Sequence, residues 1–182
     1  MLCGYLFQRP LWYIFECMKI ILRAWKMDDL PSLQRHANNP NIAKFMTNQF
    51  PHPYTLDAGR TFIEFTHNEN HSHLWAIEYE GKAIGGIGLH TTHDVLRKNV
   101  EIGYWIGEDF WGRGMMSEAI KETVQWAFEH LDVSRIYARV FGNNLRSASL
   151  LEKCGFQKEV HVKDGIFKNN EFLDELIFAT RK

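Results

Sequence analysis

Met116, Ala119, Ile120, Thr123, Val124, Ala127 and Phe128 recur at spacings of three and four residues, and all but Thr123 are apolar. At 3.6 residues per turn they fall on a single stripe, so this segment reads as an α-helix with one face committed to a core. The residues before it narrow the fold further. Positions 100–106 (Val-Glu-Ile-Gly-Tyr-Trp-Ile) read as a strand, and Gly112-Arg113-Gly114 lies between that strand and the helix. A second strand is expected over 135–140, which makes a strand–helix–strand unit around a glycine-rich bend.

The remaining segments fit around that unit. Positions 19–25 read as a first strand, and Asp28-Asp29-Leu30-Pro31 as a helix start with acids and proline in its first turn. One or two helices run to about residue 48. Thr55 is placed to cap a helix over 56–67. Strands follow at 73–79 and 83–89, joined by a turn at 80–82. A short helix over 144–154 is stopped by Gly155, with Phe156 packing back over it. Strands at 156–163 and 171–179 complete an α/β (α+β) layered domain on a mixed sheet.

The glycine-rich bend carries the chemistry. The first amides of a helix have no partner within it, so Gly112, Arg113, Gly114, Met115, Met116 and Ser117 can present N–H groups to an anion, and the helix dipole favours one there. Arg113 adds a charge-assisted contact. Such a turn suits a pyrophosphate; equally, it can be a plain turn at the start of a core helix. The dinucleotide fingerprint is excluded because its third glycine is missing, and no Gly-Lys-Ser/Thr follows to make a nucleoside-triphosphate loop. Gly85-Gly86-Ile87-Gly88 sits inside a strand, where it allows a bulge or a close backbone approach.

The run Trp111-Gly112-Arg113-Gly114-Met115-Met116 resembles the acetyl-CoA signature (Gln/Arg)-x-x-Gly-x-(Gly/Ala) of the GNAT acyltransferases. The stretch 101–119 is similar to the branch containing the ribosomal-protein N-terminal acetyltransferases, as is Asn144-Leu145-Arg146-Ser147 followed by Leu151-Glu152-Lys153-Cys154-Gly155-Phe156. The resemblance covers residues 19–182. Trp111 replaces the usual Gln or Arg, and Met116 stands where Gly or Ala is usual. Helical phasing turns the Met116 side chain toward the sheet and leaves its N–H free.

The resemblance implies a central sheet of about seven strands flanked by about four helices, with two parallel strands splayed apart in the middle. It implies acetyl-CoA as co-substrate, with pantetheine pairing to the backbone of Tyr104, Trp105 and Ile106. A primary amine, on a protein N-terminus or a small molecule, then attacks the thioester directly. Glu101 is the candidate base, with a solvent-facing strand carboxylate as the alternative. Ser147 is the candidate acid toward the departing thiolate and Asn144 a pantetheine contact; alternatively, Asn144 is an N-cap with Ser147 in the first turn. A catalytically silent CoA-binding sensor or assembly module is the competing reading. Phe45, Phe50, Tyr54 and the 163–170 segment either wall the acceptor pocket or serve as core and turn.

Composition sets the remaining limits. Lys and Arg number 21 against 22 Asp and Glu, so a partner held by bulk positive charge, nucleic acid or an anionic membrane, is not expected. The three cysteines, Cys3, Cys17 and Cys154, share no metal-like spacing and favour a reducing, cytoplasmic setting. Residues 1–17 are apolar and aromatic but lack a basic n-region and an uninterrupted span. They read as an extension outside the resemblance, with Met18 the expected start of the domain and a genuine N-terminal strand or amphipathic anchor as the alternative. His67, His71, His73, His90 and His93 read as solvated loop groups rather than metal ligands, and no metal is expected. A monomer or homodimer is expected.

Overall fold

Period-two burial, the mark of a strand with one face more covered than the other, is clearest over 99–106 and 135–141, while 83–89 is buried throughout. The computed structural model describes residues 19–67 and 73–182. The expected extension over 1–17, Met18 and His71 lie outside those residues. Among the described residues one sheet runs β1 (Ile21–Ala24), β2 (Leu74–Tyr79), β3 (Lys82–Thr91), β4 (Asn99–Ile106), β5 (Arg135–Phe141), β7 (Glu171–Arg181), β6 (Gln157–Lys168). Every neighbouring pair is antiparallel except β4 and β5.

Five α-helices occur among the described residues, one more than the expected four: α1 (Leu30–Ala37), α2 (Pro40–Ala43), α3 (Leu56–Thr66), α4 (Met115–His130) and α5 (Leu145–Lys153). The addition, α2, is a single turn with Pro40 at its first position and the Asn39 side chain accepting from Asn41 N at 2.8 Å. Thr55 caps α3 by accepting from Ala58 N at 3.1 Å. At the end of α5, Gly155 adopts φ +87°, Phe156 N donates to Leu151 O and Gly155 N to Glu152 O. These are the two bonds of a Schellman stop, and buried Phe156 and Leu151 supply its apolar contact.

Helices cover the sheet unequally. On one face α4 and α5 bury Val100, Ile102, Ile120, Ile136, Leu151 and Phe178 in the main core. On the other, α1 and α3 enclose Trp25, Leu33, Tyr54, Ile63 and Ala76, and that cluster ends at Trp105 of β4. The glycine run in β3 serves close approach, as expected: a Cβ on Gly85 would lie 2.4 Å from Trp105 O and 2.8 Å from Ile106 Cα. The strands of the last hairpin extend well past their expected ends. Residues 163–168 belong to β6, and only Asn169 and Asn170, both at positive φ, make the turn.

Asp29 anchors the chain entering α1. Its carboxylate accepts from Arg23 Nη1 and Nη2 at 2.7 and 2.8 Å and from Lys26 N at 2.9 Å, while Arg23 Nε also meets Glu78. Burial works to raise the Asp29 carboxyl, but the Arg23 and Lys26 hydrogen bonds outweigh it and hold the group below its ordinary value. A carboxyl lower in the folded than the unfolded state stabilises above its unfolded value, and that contribution is lost as pH falls through the folded one. Asp29→Ala is expected to lower stability by about 3 kcal/mol at pH 7 in urea unfolding, with the gap to the parent narrowing below about pH 4.

Candidate active site

β4 and β5 stay together for three pairs only: Asn99 with Arg135, Val100 with Ile136 and Glu101 with Tyr137. Beyond Glu101, β4 continues on β3 as far as Ile106 opposite Gly85, and β5 continues on β7 as far as Phe141 opposite Glu175. The facing edges of 102–106 and 138–141 are therefore unpaired with each other. Backbone donors and acceptors on such edges demand partners, so the gap suits an extended, amide-bearing arm. Tyr104, Trp105 and Ile106 line it. The Ile106 carbonyl already accepts from Trp111 Nε1 at 2.9 Å.

At the mouth of the gap the chain turns into α4. Gly112 and Gly114 hold φ +75° and +81°, a region L side chains rarely adopt, and a Cβ on either would meet nothing within 4 Å. Among the described residues no main-chain carbonyl outside the helix accepts from the amides of Gly112 through Ser117, and α4 bonding starts with Glu118 N to Gly114 O at 3.1 Å. Met115 and Met116 point into the core, Met116 at 8 % exposure, so neither side chain closes the entrance. Ser117 Oγ lies 3.2 Å from Cys154 Sγ, tying α4 to α5. Arg113 stacks over Phe110 with its guanidinium 5.5 Å from the ring. Trp111, in the place of Gln or Arg, is clamped under Arg146 at 4.2 Å.

On the α5 side of the gap, Asn144 is the N-cap: its Oδ1 accepts from Ser147 N at 3.2 Å. The amide nitrogen of that side chain makes no bond to a described residue. Ser147 Oγ is 2.9 Å from the hydroxyl of Tyr104. Burial, partly countered by the Ser147 hydrogen bond, pushes the Tyr104 hydroxyl well above its ordinary value, so it remains a neutral donor.

On the opposite face Glu101 is half-buried beside Tyr137. Burial, followed by the charge and hydrogen bonding of Glu101, raises Tyr137, so that hydroxyl also stays protonated. His90 is not a loop residue as expected: it belongs to β3, opposite Glu101, with Nε2 3.6 Å from the Cβ position of Gly103. His67 is exposed at the end of α3, with Nε2 2.8 Å from Trp25 O, whereas His73 is half-buried and packs on Trp75 and Trp126. Tyr54 is core. Phe50 sits between Tyr54 and Trp105, and Phe45 meets Phe141 with ring centres 6.4 Å apart.

Tyr137 and Arg139 were missed in the sequence reading. The signal was present in the alternation Arg-Ile-Tyr-Ala-Arg-Val-Phe over 135–141, which gives β5 a polar face. The pairing of that face with Glu101 is a matter of register, which no local pattern states. No group of three or more His, Cys, Asp or Glu among the described residues is arranged to hold a metal ion, and no described helix is long and apolar enough to cross a membrane.

Residues 19–157 match the domain family described as acetyltransferase (GNAT). N-acetyltransferase YoaA of Bacillus subtilis (strain 168), itself uncharacterized, is 30 % identical over 173 residues, covering 93 % of this chain and 97 % of that protein. The ribosomal protein uS5-alanine N-acetyltransferase of Escherichia coli (strain K12) is 26 % identical over 160 residues, 86 % of this chain and 81 % of that one. Among solved structures, spermidine N-acetyltransferase of Vibrio cholerae with CoA and spermine superposes with a TM-score of 0.75 at 24 % identity, covering 89 % of this chain and 95 % of that one. With its split parallel pair, its open glycine bend and a profile match across most of its length, the chain belongs to the GNAT acetyltransferase family.

Proposed function

We propose that residues 18–182 form a single acetyltransferase unit, acting in the cytosol, that moves an acetyl group from acetyl-CoA to a primary amine. The observation that carries this reading is the row of amides at 112–117 opening beside the unpaired edges of β4 and β5. Those amides and Arg113 bind a diphosphate, and the β4 edge at Tyr104, Trp105 and Ile106 takes the pantetheine amides. Trp111 contributes by bracing the bend against β4 and α5 rather than by its own contact. The spare amide nitrogen of Asn144 donates into the gap.

Acetyl-CoA supplies an activated acyl group whose leaving thiolate needs a proton. The amine nitrogen forms the new C–N bond as the C–S bond breaks. Glu101, directly or through water, takes the amine proton, and Ser147, backed by the neutral Tyr104 hydroxyl, gives one to the thiolate. Relatives are named for both kinds of acceptor, a ribosomal-protein alanine and spermidine.

Release of free thiol from acetyl-CoA against a panel of α-amines and polyamines tests the reading. Turnover with at least one amine is expected, together with thermal stabilisation by CoA. Stabilisation without thiol release would leave only a binding module. Ser147→Ala is expected to lower kcat by about 10-fold to 100-fold while changing the affinity for CoA by less than threefold. Unchanged turnover removes Ser147 from the chemistry.

A further inference from the structure

β5 divides its side chains between the two faces of the sheet. Ile136, Ala138 and Val140 enter the α4–α5 core, while Tyr137, Arg139 and Phe141 stand on the face that α1 and α3 leave uncovered beyond Trp105. Glu101 shares that face, being paired with Tyr137. Arg139 lies two residues past this pair, about 6.6 Å further along the strand. Phe45, against Phe141, closes the far end, and Lys168 of β6 reaches over to the Met46 carbonyl. Glu101 with Tyr137, then Arg139, then the Phe141–Phe45 pair thus follow one another along this face of the sheet.

Arg139 is held in a particular way. Its Nε donates to Glu175 Oε1 at 2.7 Å, and Glu175 is buried, with 7 % exposure. The side chain itself is half exposed. Among the described residues its Nη1 and Nη2 have no acceptor. A guanidinium fixed through Nε by a buried acid offers its remaining edge as a planar fork, the shape that takes a carboxylate in two parallel bonds.

Resting on the acetyltransferase reading above, we propose that the acceptor is an α-amine carried next to a carboxylate: the N-terminus of a peptide with aspartate or glutamate in its first two positions. The Arg139 fork seats the carboxylate while the amine lies at Glu101. An α-amine titrates near 7.8 against about 10.4 for a lysine-like amine, so a single carboxylate suffices as its base.

The test uses the full chain, saturating acetyl-CoA and peptide pairs differing only as Asp against Asn or Glu against Gln in the first two positions, with spermidine alongside. The acidic peptides are expected to exceed their amide twins in kcat/KM by about 10-fold to 100-fold, chiefly through KM, and to exceed spermidine. Arg139→Gln is expected to bring that ratio toward one, and Arg139→Lys to keep part of it. Because Arg139→Gln strands a buried carboxylate, the double variant R139Q/E175Q is measured in parallel, with CoA-induced thermal stabilisation reporting the fold. An acid-to-amide ratio within threefold in the parent, a ratio unmoved by Arg139→Gln, or spermidine as the better acceptor overturns the proposal. Absence of both thiol release and CoA stabilisation overturns the acetyltransferase reading instead.

Discussion

Gly114→Val is expected to lower the affinity for CoA at least 10-fold by calorimetry, with little change in the far-ultraviolet spectrum. Gly114 holds φ +81° immediately before α4, a conformation valine resists, so the bend must re-form and its amides turn away. Losing one or two charge-assisted hydrogen bonds at 1.5–3 kcal/mol each corresponds to about 10-fold to 10⁴-fold. Met116→Ala is the matched control. Its side chain is part of the main core, so it is expected to lose about 2–4 kcal/mol of stability while the affinity for CoA moves less than threefold. Equal losses of affinity in the two variants would count against a main-chain cradle.

Glu101→Gln is expected to reduce kcat/KM at pH 7 by about 5-fold to 10-fold with an α-amine acceptor and by about 100-fold or more with a polyamine, with the deficit shrinking as pH rises. The sign follows from the amine. Below its own pKa an acceptor must shed a proton, which at pH 7 costs about 1 kcal/mol for an α-amine near 7.8 and about 4.6 kcal/mol for a lysine-like amine near 10.4. Raising the pH supplies the neutral amine without help, so the variant recovers toward the parent and does so earlier with peptide N-termini than with polyamines. A deficit constant from pH 6 to 10 would assign Glu101 a structural role beside Tyr137.

The parts of this molecule legible in its sequence are those governed by local periodicity and caps. The 116–128 stripe, the Thr55 cap, the Gly155 stop and the meander of β2 and β3 all stand where the residue pattern puts them. The glycine bend was legible too, since φ above zero and free amides follow from Gly-x-Gly before a helix. What escaped the sequence was register and reach. That His90 stands opposite Glu101, or that β5 separates from β4 after Tyr137, depends on pairings between segments up to 36 residues apart. The length of β6 was understated because Lys163, Asp164 and Gly165 read as turn residues. In the sheet they form an irregularity between the pairs Val162–Glu175 and Ile166–Leu173, with Asp164 at φ +54° and its N–H donating to Asp174 Oδ1 at 3.0 Å, and β6 resumes beyond them.

The sheet's unequal covering separates the two approaches to the gap. On the proposed reading a diphosphate comes in along the α4–α5 side, whereas an acceptor entering over Arg139 and Phe141 arrives from the bare side. Two reactants admitted through different doors need not take turns, so both can be aboard at once and the acyl group can cross between them in a single step, with no way-station on the protein.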